Sequence, residues 1–170
     1  MGHLAVYIAI DEPRLDELWW QDDGPFRTSF MKLEEDRSLE RLDIDKIWDA
    51  LHCTFTGKSA STPVEGNRLS ESIVGVQPKI YDDEDYSLFV SVIENDELPE
   101  IISALKAIDE EQLRSMLDPE RMKKEKIYPD LIWEDPPDRL TAEMFRTMQS
   151  MIVFFQKALS SGNHVLATIL

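Results

Sequence analysis

Both ends of this chain read as buried β-strands, and a fold that must seat both ends in one sheet has few solutions. Leu4, Val6, Ile8 and Ile10 alternate with His3, Ala5, Tyr7 and Ala9, the period-2 signature of a strand, and the small or amphipathic second set suits a covered face. Residues 164–170 form a second apolar strand after Gly162-Asn163. A third is expected over 86–93, with Tyr86, Leu88, Val90 and Val92 on one face and Ser87, Phe89, Ser91 and Ile93 on the other. Long helical segments separate these strands, so the expected architecture is α/β (mixed α+β): one compact domain spanning 1–170, with a central mixed β-sheet covered by helices.

The helices follow from 3.6-residue periodicity. Over 43–56, Ile44, Ile47, Trp48, Leu51 and Phe55 share a face, with Asp43 as the expected N-cap and Gly57 as the terminator. Leu98, Ile101, Ile102, Leu105 and Ile108 mark another helix, and Leu140, Met144, Met148, Met151, Phe155 and Leu159 mark a long one from Asp138 to the stop at Gly162-Asn163. Shorter helices are expected after Asp11-Glu12-Pro13, ending before a turn at 22–25, over 110–117, and after Asp118-Pro119-Glu120. Residues 58–67 read as a surface loop.

Charge narrows the partners. With 34 Asp and Glu against 18 Lys and Arg in 170 residues, the net charge is -16, a field that repels nucleic-acid phosphates and anionic membranes. The basic stretch Arg121, Lys123, Lys124 and Lys126 sits where a helix C-terminus favours cations. A basic protein is therefore the expected partner, with no nucleic acid and no membrane. No apolar run approaches the roughly 20 residues that cross a bilayer. A lone Cys53 and a start without a basic, apolar leader point to a cytoplasmic location.

Few residues suggest chemistry. Asp45, Asp49, His52 and Thr56 recur at helical spacing opposite the apolar face. Such a stripe could hold a metal or polar ligand only with help from another element, and is otherwise a solvated face. Tyr128 and Trp133 flank the turn at Pro129, either lining a pocket with that stripe or stapling a linker to the core. Asp82, Asp83, Glu84 and Asp85 lie between Tyr81 and Tyr86 without the ligand spacing of a calcium loop, and read as a solvated acidic loop able to meet a basic surface. Cys53, mid-helix, reads as a small buried hydrophobe. No G-x-S-x-G elbow connects Ser59, Ser61, Ser70 or Ser72 to a base, and no phosphate-cradling glycine motif occurs. Neither a metal nor a cofactor is expected.

The block Arg41-Leu42-Asp43-Ile44-Asp45-Lys46-Ile47-Trp48-Asp49-Ala50-Leu51-His52, followed by Thr54-Phe55-Thr56-Gly57, resembles the YfbM-like family of small bacterial proteins of unknown function. Met1-Gly2 before an apolar strand, Ile127-Tyr128-Pro129 ahead of Trp133, and Gly162-Asn163-His164 before a final strand resemble it in the same order. The resemblance spans the chain and implies a single mixed α/β domain with a central sheet and no established activity. The functional expectation is thus a non-enzymatic acidic protein-binding module, one version being an immunity-type inhibitor that covers a toxin's active site. The alternative is a small-molecule- or metal-binding protein with weak hydrolase activity, built on Asp45, Asp49, His52, Tyr128 and Trp133.

Overall fold

The computed structural model describes residues 3–83, 86–130 and 134–170. Its elements run β1 (Ala5–Ile10), α1 (Glu12–Trp19), α2 (Asp23–Glu35), β2 (Arg41–Asp43), α3 (Trp48–Thr56), α4 (Arg68–Val74), β3 (Gln77–Asp83), β4 (Tyr86–Ile93), α5 (Leu98–Lys106), α6 (Glu110–Met116), α7 (Pro119–Lys124), α8 (Pro137–Ser160) and β5 (His164–Ile169). The five strands form one sheet in the order β2-β1-β5-β4-β3. The terminal strands are neighbours: β1 pairs with β5 from Ala5 opposite Ile169 to Ile10 opposite His164.

The mixed α/β composition is as expected, but every strand pairing among the described residues is antiparallel, where a mixed sheet was expected. Two unanticipated strands account for part of the difference. β2 is a three-residue edge, and β3 forms a hairpin with β4 from a stretch that shows no clean alternation. Pairing holds both in place against weak local preference, with distant β1 for β2 and with the adjacent strand for β3.

Side-chain alternation splits the core in two. Ala5, Tyr7 and Ala9 of β1, Ile93 of β4, and Val165 and Ala167 of β5 face the larger core, filled by α3 to α8. Ile8, Ile10, Leu88, Val90, Val92 and Leu166 face the smaller one, filled by Leu15 and Leu18 of α1 and Phe26 and Phe30 of α2. On the larger side Tyr7 packs edge-on against Phe155 at 5.8 Å between ring centroids and donates its hydroxyl to the Ile73 carbonyl at 3.1 Å. Burial pushes that hydroxyl's pKa upward, so it stays a donor.

Other boundaries also shift. The helix expected over 43–56 starts at Trp48, because Asp43 ends β2 opposite Val6. The Asp43 carboxylate accepts the Asp45 N–H at 2.7 Å, and Asp45 turns the chain at φ 54°, a left-handed conformation that Asp tolerates. The helix ends as expected, with Gly57 at φ 73° and its N–H on the Cys53 carbonyl. The turn expected at 22–25 instead opens α2. The expected acidic loop is partly strand: Asp82 and Asp83 pair with Ser87 and Tyr86, while Glu84 and Asp85 lie outside the described residues.

Candidate functional site

Helix α3 is enclosed rather than half-solvated, with every residue from Asp49 to Phe55 buried. The polar stripe therefore points into the protein, and its groups must find internal partners. Asp49, 5% exposed, accepts the Ser59 hydroxyl at 2.9 Å and the Ala60 N–H at 2.7 Å on Oδ1. Its Oδ2 accepts the Tyr128 N–H at 3.0 Å. One carboxylate thus ties the 58–67 loop and the 127–130 segment to α3.

His52 does similar work one turn later. Its Nδ1 lies 2.8 Å from the Lys58 carbonyl, which can only accept, so the proton is on Nδ1. Nε2 then accepts the Ser70 hydroxyl at 2.7 Å, and Ser70 Oγ accepts the Val64 N–H at 2.9 Å. Burial, the leading cause, lowers the imidazole pKa and keeps the ring neutral. A serine donating to a neutral histidine resembles a nucleophile and its base. Here, however, Ser70 has no exposed surface and its oxygen is engaged on both sides. The pair clasps the loop between α3 and α4.

The other candidates disperse. Asp45 is exposed and lines a separate cleft of about 440 Å³ with Asp43, Lys46, Pro129, Glu143 and Arg146. Tyr128 stacks obliquely on Trp48 at 5.6 Å, and burial, reinforced by the Asp45 carboxylate, raises its hydroxyl pKa. The structure thus joins Asp49 to the Tyr128 backbone, keeps Asp45 near the Tyr128 ring, and directs His52 toward Ser70; Trp133 lies outside the described residues. Among the described residues no group of three His, Cys, Asp or Glu side chains could hold a metal. The buried Cys53 thiol has its pKa raised by burial, with Arg121 Nη2 at 3.9 Å from its sulfur.

A different place has the shape of a binding site. Between α4, β3 and the 63–66 loop lies a cavity of about 780 Å³, within the range of ordinary ligand pockets. Pro78, Ile80 and Phe89 of the sheet form its floor, Val74 and Gly75 part of its wall, and Glu65, Arg68, Glu71 and Glu100 its polar rim. Helix α4 is set by Asn67, whose side chain caps the Leu69 and Ser70 N–H groups at 3.0 and 3.2 Å.

Gly75 lets the helix end press on the sheet. At φ 71°, an added Cβ would lie 2.2 Å from Ser91 Oγ. Arg68 is the cation of the rim and is already held: it pairs with Glu71 at 2.8 Å, Glu100 at 2.7 Å and Glu97 at 3.8 Å, and these partners raise its pKa, the Glu100 hydrogen bond most of all. Glu71 also accepts the Gly66 N–H at 2.9 Å. The rim is thus negative overall, with Glu65 and Glu100 exposed.

Sequence reasoning missed this cavity because its residues come from four elements without a shared motif. Asn67 ahead of Arg68-Leu69-Ser70-Glu71, and Gly75 after Val74, were the local signals available.

Residues 1–168 match the family described as "Domain of unknown function (DUF1877)". Protein YfbM of Escherichia coli (strain K12) is 30% identical over 170 residues, covering 99% of each chain. The crystal structure of YfbM from Escherichia coli, titled a protein of unknown function, superposes with a TM-score of 0.77 at 28% identity. That match covers 98% of this chain and 99% of that one.

Proposed function

Because the chain belongs to the DUF1877 family, a domain of unknown function, its function must be argued from its own surface, and we propose that it is a non-enzymatic module that binds a basic protein partner. The observation that carries this reading is the acidic rim around the apolar cavity. Glu65 and Glu100 are exposed there, and Arg68 is spent on carboxylates of the same chain. A pocket of this kind selects a segment with an apolar side chain for the floor and cationic groups for the rim. The net charge of -16 extends the same preference over the surface and speeds encounter with a cation-rich protein. An inhibitor of the immunity type, docking on a basic toxin, is one form such a module takes.

The test is capture from the native host by mild crosslinking, with the wild-type chain and a Glu65→Lys/Glu100→Lys variant side by side at low and moderate salt. The expected result is a stoichiometric basic protein retained by the wild type at low salt, released as salt rises, and absent from the variant. An identical set of captured proteins for both chains, unaffected by salt, would remove the proposal.

A further inference from the structure

The cavity opens beside a strand that, among the described residues, pairs with no strand on its outer side. β3 ends the sheet order and is seven residues long; the opposite edge, β2, has three residues and packs against α8. Along β3, Pro78 and Ile80 lie opposite Ser91 and Phe89 and face the cavity. Lys79 projects to the other face, where its ammonium donates to the Trp19 carbonyl and lies 5.1 Å and 4.7 Å from the Trp19 and Phe26 ring centroids.

Exposed apolar surface collects at this edge. Ile80 is 67% exposed on the cavity face, and Trp20, next to the Trp19 carbonyl that Lys79 reaches, is 79% exposed. These are two of the four large hydrophobic side chains standing in solvent among the described residues. Pro78 offers this edge only its carbonyl, and Ile80 and Asp82 offer both donor and acceptor; such groups, with a pocket for alternate side chains beside them, are the elements of recognition by strand addition.

Charge decides which strand fits. A second copy of this chain would bring its own carboxylate rim against Glu65 and Glu100, and the repulsion guards the edge against self-pairing. A lysine- or arginine-bearing strand meets the opposite field.

We propose that the partner docks through an extended basic segment that adds as a sixth strand along β3, one apolar side chain entering the cavity and cationic side chains reaching Glu65 and Glu100. This inference rests on the protein-binding reading and specifies its mode.

The probe is an acetylated, amidated heptapeptide with leucine at its centre, lysine two residues to either side and threonine at the remaining positions, so that the leucine and both lysines share one face; it is titrated at low salt while amide exchange of Ile80 and Asp82, which alternate with the residues bonded to β4, is followed by NMR. Two analogues complete the test, one N-methylated at the leucine and both lysines and the other at every threonine, since each blocks one hydrogen-bonding edge of an extended chain. Strand addition predicts slowed exchange in β3, and about a tenfold or greater loss of affinity for one analogue but not the other. It also predicts loss of binding in Glu65→Lys/Glu100→Lys.

If both analogues bind like the parent while the charge reversal still abolishes binding, strand addition is wrong and the acidic-site reading survives. Binding that ignores both salt and charge reversal overturns that reading too. Failure of the parent peptide to bind at low salt, or slowing of β3 exchange with protein concentration alone, overturns the inference, the latter by assigning the edge to a second copy.

Discussion

Helix α4 separates two polar regions built from similar residues and used in opposite ways. Toward α3, Ser70 joins His52 and the Val64 N–H in a buried network, and Asp49 below it accepts three hydrogen bonds. Toward β3 and α5, Glu65 and Glu100 stand in solvent around an apolar hollow. A buried carboxylate engaged by the chain's own N–H and O–H groups organises a loop and is closed off from an outside ligand. An exposed carboxylate beside uncovered apolar surface adds little to folding and can meet a partner, Glu65 directly and Glu100 by exchanging its solvent-exposed pair with Arg68. The difference separates residues that make the fold from residues available for recognition, although both are simply acidic in the sequence.

The comparison breaks most readily at Asp49. Replacing it with Ala leaves the Ala60 and Tyr128 N–H groups without their acceptor, and we expect a loss of about 3 kcal/mol in urea unfolding. A loss well under 1 kcal/mol would mean that the loop finds other partners at little cost.

Gly75→Ala tests the contact between α4 and the sheet. The positive φ and the approach to Ser91 should together cost about 2 kcal/mol, read from the same denaturation curves. An unchanged midpoint would show that Ser91 moves aside freely.

His52 sharpens the comparison through pH. Its folded pKa is depressed chiefly by burial, so as pH falls the unfolded chain takes up the proton first, near the ordinary value of about 6.5. The stability held by neutral His52 is therefore complete above that value, is withdrawn as pH falls toward the folded pKa, and levels off below it. Wild type should lose stability relative to His52→Gln as pH falls from neutrality through and below about 6.5. A constant difference across that range would place the proton elsewhere. The smallest expected stability effect is on the rim: Glu100→Lys, at a side chain 69% exposed, should leave the urea midpoint almost unmoved while weakening association with a basic protein.

Much of the fold was legible because its elements announce themselves locally. The period-2 run at the start became β1, the apolar run at the end became β5, and the inward stripe from Leu140 to Leu159 became α8. The sequence reading failed where strand pairing overrode local pattern: Asp43 looks like a helix cap and is the end of β2, held by distant β1, and Asp82 and Asp83 look like loop and lie in the β3–β4 hairpin. The stripe Asp49–His52 was recognisable as a unit, but its burial was not, because α3 is covered on its polar side by the 58–67 loop, whose polar composition gives no hint that it folds back. The cavity was least legible, since the pairing of β3 with β4 must form before Ile80 and Phe89 become one floor.

The claim that α4 divides structure from recognition is tested most directly by crossing two variants, Asp49→Asn and Glu65→Lys/Glu100→Lys, against two readouts: urea midpoint, and low-salt affinity for the leucine-centred heptapeptide. The account predicts that Asp49→Asn is clearly destabilised yet, at a temperature where it stays folded, binds like wild type, whereas the rim variant is as stable as wild type and does not bind. A folded Asp49→Asn that has lost the peptide, or a rim variant that retains it, would contradict the account.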